Sequence, residues 1–193
     1  MIGAVLAGGA GRRLGGSKAT VQLGGRPLLA YALDALRGAL GVRAVVAVVA
    51  KPATELPRLP RGVERWEEPA EPQHPACGLR EALRRAGGEE VLVVPVDLPL
   101  MTAQELGVLM GSARREAPAL IASVGGRIQP LVGVWTPAAL PGLEAFPEGE
   151  PLVRIALAMG ARTVERPDQT GCYLNVNTPL DLERVEARLR SGS

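Results

Sequence analysis

Residues 1–18 read MIGAVLAGGAGRRLGGSK, and this opening decides the fold. The first seven form an apolar run ending in glycines, the pattern of a strand covered on both faces. Residues 6–18 (LAGGAGRRLGGSK) bring five glycines, two arginines and one lysine directly behind that strand. Glycines let backbone amides approach an anion closely, and cationic side chains neutralise phosphate oxygens. The stretch therefore predicts a phosphate-holding loop at the end of a buried strand. Two familiar loops fail on spacing. A P-loop ends in Gly-Lys-Ser/Thr, and the order here is Gly16-Ser17-Lys18. A dinucleotide fingerprint starting at Gly9 needs glycine five positions on, where the chain has Leu14. No long helix follows at once; residues 19–23 read as a short extended piece before a Gly24-Gly25 turn.

Outward from the loop, strand and helix patterns alternate. Residues 28–40 carry Leu29, Leu33, Leu36 and Leu40 at helical spacing after Pro27. Residues 44–50 (AVVAVVA) and 90–96 (EVLVVPV) read as buried strands. Residues 79–86 and 103–115 predict helices, 119–124 and 131–135 strands, and 63–66 a short strand inside a Pro- and Glu-rich excursion over 52–75. Thr178, Pro179 and Asp181 make an N-cap, a first-turn proline and an acidic third position for a last helix reaching about residue 190. The expectation is one α/β domain over 1–193, a three-layer α/β/α sandwich with a mainly parallel sheet. Ligands of such sheets sit at the carboxyl ends of the strands.

Of 193 residues 47% are apolar, enough for a sizeable core, and with one Phe, two Tyr and two Trp that core is aliphatic. A net charge of +2 argues against a nucleic-acid or membrane-surface protein. The 22 basic residues include only two lysines, Lys18 and Lys51, which makes the one in the loop conspicuous. Cys77 and Cys172 are too few for a disulfide framework or metal cluster. With no leader and no spanning run, a cytoplasmic protein is expected.

Two further segments carry chemistry. VLVVPVDLPLM places Asp97 where a buried strand ends, beside the phosphate loop. A carboxylate there suits Mg²⁺, a hard cation that bridges phosphate oxygens, and it also suits a helix cap, a role Thr102 fills better. In LNVNTPLDL, Asn175 and Asn177 are two apart and face the same way on an extended segment. They suit an acceptor phosphate or ring before a helix N-terminus, and equally the hydrogen bonds of a turn and cap.

LAGG, RRLGG with a lysine, VDLP, Gln129-Pro130 and NVNTP occur in this order along nearly the whole chain. Together they resemble the molybdenum cofactor guanylyltransferases, and more distantly the sugar-phosphate nucleotidyltransferases. The resemblance implies a Rossmann-like nucleotidyltransferase fold and transfer of GMP from GTP to molybdopterin, with transient cofactor-biosynthesis partners. It implies that Leu6, Ala7 and Gly8 meet the base, that Gly9, Arg13 and Lys18 meet phosphate, and that Lys18 and Arg13 stabilise charge, with Arg12 the alternative to Arg13. It makes Asp97 the Mg²⁺ ligand and sets Asn175 and Asn177 on the cofactor side. Where the family has an Asp that meets the nucleotide, the aligned residue is Glu67, with Glu68 adjacent. His74, read as a surface or packing residue, stands for a usual glycine, and Val48 for an asparagine. An arginine usual near 151–152 is missing, with Arg154 the nearest substitute. The alternatives are cytidylyl transfer to the same cofactor, whose enzymes usually read LAAG and lack NVNTP, and a nucleotide-binding protein without catalysis.

Overall fold

The computed structural model describes residues 1–9, 11–112, 116–147, 149–167 and 171–191, with Arg12 described by its backbone alone. The opening apolar run forms β1 (Ile2–Leu6), buried throughout. Beyond the loop, β2 (Gln22–Leu23) and β3 (Arg26–Pro27) form a small antiparallel hairpin. Its turn needs Gly24 and Gly25, whose φ values of 56° and 77° side-chain-bearing residues avoid. Helix α1 (Leu28–Leu40) keeps the expected bounds and buries Leu29, Leu33 and Leu36. Strands β4 (Val46–Ala50) and β5 (Val63–Glu67) flank the Pro-rich excursion. Helix α2 (Pro75–Arg85), strand β6 (Val91–Pro95) and helix α3 (Ala103–Ser112) follow. Next come β7 (Ala119–Val124), β8 (Arg127–Trp135), α4 (Leu140–Glu144), α5 (Leu152–Ala158), β9 (Arg162–Glu165) and α6 (Pro179–Ser191).

Seven strands form one sheet in the order β5-β4-β1-β6-β8-β7-β9. Strands β5, β4, β1 and β6 run parallel, β8 is antiparallel to both β6 and β7, and β9 is parallel to β7. Residues of α1, α3 and α6 join the core on one face, and those of α2, α4 and α5 the core on the other. The expected three-layer, mainly parallel architecture is present.

Three differences from the sequence expectations matter for the site. Helix α2 starts at Pro75, four residues before the expected 79, because His74 caps it by accepting the Ala76 N–H at 3.1 Å. Strand β8 starts at Arg127 rather than 131, and its pairing with β7 shifts between Ile121 and Ala122. That bulge swings residues 130–132 out of the ladder. Elements α4, α5 and β9 lie outside the expectation altogether, and residues 113–115 of the expected third helix lie outside the described residues.

Candidate functional site

A cleft of about 420 Å³ opens over the carboxyl ends of β1 and β6, where a parallel sheet of this kind binds ligands. Leu6, Gly8, Gly9 and Lys18 line it from the loop, Asp97 from the end of β6, and Asn175 from the C-terminal segment. Lys18 Nζ donates to Asp97 Oδ2 at 2.6 Å and to Asn177 Oδ1 at 2.6 Å. One ammonium thus joins three segments that the sequence keeps far apart. It has three donors and spends two.

The asparagine segment is held beside the end of β6 by one backbone bond: Val176 N–H donates to Asp97 C=O at 2.9 Å. Val176 is buried, while Asn175 lines the cleft and Asn177 meets Lys18. The expected alternation holds. A reciprocal cap then fixes the turn, with Asp181 Oδ2 accepting from Asn177 N–H, Thr178 N–H and the Thr178 hydroxyl at 3.1, 2.9 and 2.8 Å. The bond from the Thr178 hydroxyl leads in holding the Asp181 carboxyl below its ordinary value, and the backbone amides add to it.

The loop divides the labour differently from the expectation. Ala7 is fully buried, its N–H spent on Val49 C=O at 2.8 Å, and Leu6 C=O accepts from Val96 N–H at 3.1 Å. Among the described residues the Gly8 and Gly9 amides make no backbone hydrogen bond. A Cβ on Gly9 would meet nothing within 4 Å, so the open space belongs to the cleft rather than to packing. Ser17 Oγ, beside Lys18, is buried with no hydrogen-bond partner among the described residues. Arg13 lies exposed on the single 3-10 turn Arg12–Leu14 and is not part of the cleft wall.

The carboxylate that faces the cleft is Glu68, not Glu67. Neighbouring strand residues point to opposite faces. Trp66 is buried against α2, Glu67 turns outward beside Arg65 with its side chain 55% exposed, and Glu68 turns back in at 5% exposed. The Glu68 carboxylate lies between Gly8 and Gly78: a Cβ on Gly8 would collide with its Oε1, and one on Gly78 would come within 3.1 Å of its Oε2. Burial pushes this carboxyl up, Lys51 pulls it down and Glu81 pushes it up again. The alternation after Trp66 was the sequence signal for position 68.

His74 is a wall residue rather than a surface one. Its Nε2 donates to Glu150 C=O at 2.9 Å while Nδ1 accepts from Ala76, and its ring stacks on Phe146 at 4.9 Å. Gln129 and Pro130 reach the cleft through the β8 bulge. Arg154 does not replace the missing arginine; it is 75% exposed and paired with Glu150.

Fold and cleft together define a protein with a Rossmann-like sheet and an open cleft at the switch between its parallel and antiparallel strands. Residues 3–164 match the MobA-like NTP transferase domain. The molybdenum cofactor guanylyltransferase of Cereibacter sphaeroides is 36% identical over 199 aligned positions, covering 100% of this chain and 99% of that protein. The one from Acidiphilium cryptum is 37% identical over 191 positions, covering 95% and 92%. Among solved structures, molybdopterin-guanine dinucleotide biosynthesis protein A of Archaeoglobus fulgidus superposes with a TM-score of 0.77 at 23% identity, covering 99% of this chain and all of that one. The 2-C-methyl-D-erythritol 4-phosphate cytidylyltransferase of Thermus thermophilus superposes at 0.70 with 24% identity, covering 98% of each chain, and shares the fold. The chain belongs to the MobA-like NTP transferase family, and it is a nucleotidyltransferase.

Proposed function

We propose that this protein, in the cytoplasm, transfers GMP from GTP to molybdopterin and releases pyrophosphate. The carrying observation is the Lys18 ammonium bonded at 2.6 Å to both Asp97 and Asn177, one group on the nucleotide side and one on the acceptor side. Relatives named molybdenum cofactor guanylyltransferase along the full chain support the same reaction.

In this reading the triphosphate lies along residues 8–18. The unspent Gly8 and Gly9 amides, the Ser17 hydroxyl and Lys18 meet its oxygens, and the exposed Arg13 side chain folds in from the rim. The molybdopterin phosphate, held towards Asn175 and Asn177, attacks the α-phosphorus in line. A new phosphoanhydride forms as the bond to the β-phosphate breaks, and pyrophosphate leaves. The attacking oxygen is already anionic, so no general base is needed. Positioning and charge neutralisation carry the rate.

Asp97 is the residue to hold Mg²⁺. No group of three or more His, Cys, Asp or Glu among the described residues forms a cage, which fits an ion that keeps its waters and completes its shell with substrate phosphates. Bound there, Mg²⁺ would offset the charge of the departing pyrophosphate.

Glu68 favours guanine. Of the four bases, guanine alone offers two adjacent donors, N1–H and N2–H, to a carboxylate. Cytosine puts an acceptor beside its one amino group. Incubation with Mg²⁺, molybdopterin and each of the four NTPs tests the proposal through pyrophosphate release. Release with GTP supports it; release with CTP alone, or with none, overturns it in favour of cytidylyl transfer or of binding without catalysis.

A further inference from the structure

The chain has 22 basic residues, and only two of them are lysine. Both line the cleft. Lys18 belongs to the phosphate loop; Lys51 does not, and the reaction as described gives it no task. It is 8% exposed at the end of β4, and its Nζ donates to Pro69 C=O at 2.8 Å and Pro72 C=O at 3.3 Å. Those carbonyls bracket the turn that begins directly after Glu68. The backbone of Lys51 is itself pinned, its C=O accepting from Arg65 at 3.2 Å. Glu68 N–H in turn donates to Ala50 C=O at 3.1 Å, one residue before Lys51. A buried ammonium with no carboxylate within ion-pair distance among the described residues is costly, and a chain whose basic residues are nearly all arginine has a lysine here.

We propose that Lys51 is the positioning residue of the base pocket: it holds the 69–72 turn so that Glu68 faces the cleft, and its charge keeps that carboxylate an acceptor for the base. This rests on the guanine reading given above. The physics is a balance around one carboxylate. Burial between Gly8 and Gly78 opposes its ionisation, and Glu81 on α2 opposes it further; Lys51 acts the other way. His74, at the head of α2, and Lys18 and Asp97, across the cleft, are the remaining titratable groups lining this space. A protonated Glu68 would keep its carbonyl oxygen for one N–H donor but turn a hydroxyl towards the other and lose that bond. The Lys51 ammonium meets both carbonyls with two of its three donors.

The test is GTP affinity by calorimetry from pH 5 to 8 for the wild type, Lys51→Met, Lys51→Arg, Glu68→Gln and the Lys51→Met/Glu68→Gln double variant. Without Lys51, Glu68 takes up its proton at higher pH. Lys51→Met therefore falls further below the wild type in affinity as pH drops, by up to about tenfold, the worth of one charged hydrogen bond, and approaches it again as pH rises. Lys51→Arg keeps the shape of the wild-type profile whatever its absolute affinity. In the Glu68→Gln background, Lys51→Met changes the profile no further. The γ-phosphate titrates identically in every variant and cancels in the comparison. If Lys51→Met lowers affinity equally at all pH values, or leaves it unchanged, the proposal fails. Should Lys51→Met not fold, Lys51→Arg decides: a profile unlike the wild type overturns the proposal. The guanine reading fails separately, if the wild type binds CTP as tightly as GTP.

Discussion

Lys18 and Asn177 stand 159 positions apart in the chain, and the ammonium of one donates to the amide oxygen of the other at 2.6 Å. The same nitrogen reaches Asp97, so the loop, the end of β6 and the turn before α6 meet at a single cation. Removing it leaves two polar groups facing the cleft, where water can reach them. Lys18→Ala is therefore expected to melt close to the wild type while losing roughly 10²–10³ in turnover, the cost of removing one preorganised charge-stabilising donor. Arg13→Ala, changed at an exposed position, should lose less than Lys18→Ala. Pyrophosphate release and thermal melting measure both; near-wild-type turnover of Lys18→Ala would remove it from the chemistry.

Two adjacent glycines should respond oppositely to alanine. At Gly9 a methyl group meets nothing within 4 Å, whereas at Gly8 it runs into Glu68. Gly9→Ala should fold with unchanged stability and still bind GTP more weakly, since the methyl group occupies ligand space. Gly8→Ala should lose stability too, by roughly 1–3 kcal/mol as the buried carboxylate is displaced. Equal melting of the two variants would contradict this.

Inosine triphosphate reports on the base pocket. It keeps N1–H but lacks the 2-amino group, so Glu68 would lose one of two hydrogen bonds. The wild type should prefer GTP over ITP by about tenfold, the worth of one hydrogen bond to a charged group. In Glu68→Gln that ratio should fall towards one, while a Glu67→Gln control keeps it. Competition binding with the two nucleotides supplies the measurement.

A second carboxylate governs acid stability. Glu105 on α3 accepts from Arg166 at 2.7 and 3.1 Å and from the Tyr173 hydroxyl at 2.6 Å, tying the C-terminal segment to the helix layer. Burial pushes this carboxyl up, but the bonds from Arg166 and Tyr173 outweigh burial and hold it below its ordinary value. A depressed carboxyl stabilises the fold above its unfolded pKa and stops doing so as pH falls through the folded one. Glu105→Gln should therefore cost roughly 1.5–3 kcal/mol at pH 7. The gap to wild type should begin to narrow near pH 4, where unfolded glutamates protonate, and go on narrowing as pH falls towards the lower folded value. Urea melts at pH 7 and pH 3.5 test the convergence.

Much of this was legible in the sequence because its signals were local. The apolar strands, the bounds of α1 and the Thr178–Asp181 cap rest on neighbouring residues and appear as expected. What escaped depended on tertiary partners. Helix α2 begins at a histidine that serves as a cap only because its other nitrogen is held by Glu150. Helix α4, at five residues, is too short to show a period, and α5 and β9, at seven and four, show little more. The alignment on Glu67 depends on the length of the stretch before His74, and a change of one residue there moves the answer by one. The strand's own alternation, anchored on Trp66, gives Glu68.

The reversal of strand direction between β6 and β8 has a bearing on descent. Groups on the β6 side, from the loop through Lys51 and Glu68 to Asp97, come from the first half of the chain; those opposite, Gln129 and Asn175, come from the second. A duplicated gene drifting in its second half would inherit an intact nucleotide grip and meet new acceptors. Drift in the first half that spared Lys18 would, on the reading proposed above, change the letter being donated and leave its recipient alone. Along that seam the protein is two vocabularies sharing one verb, and Lys18 is the residue neither half can revise by itself.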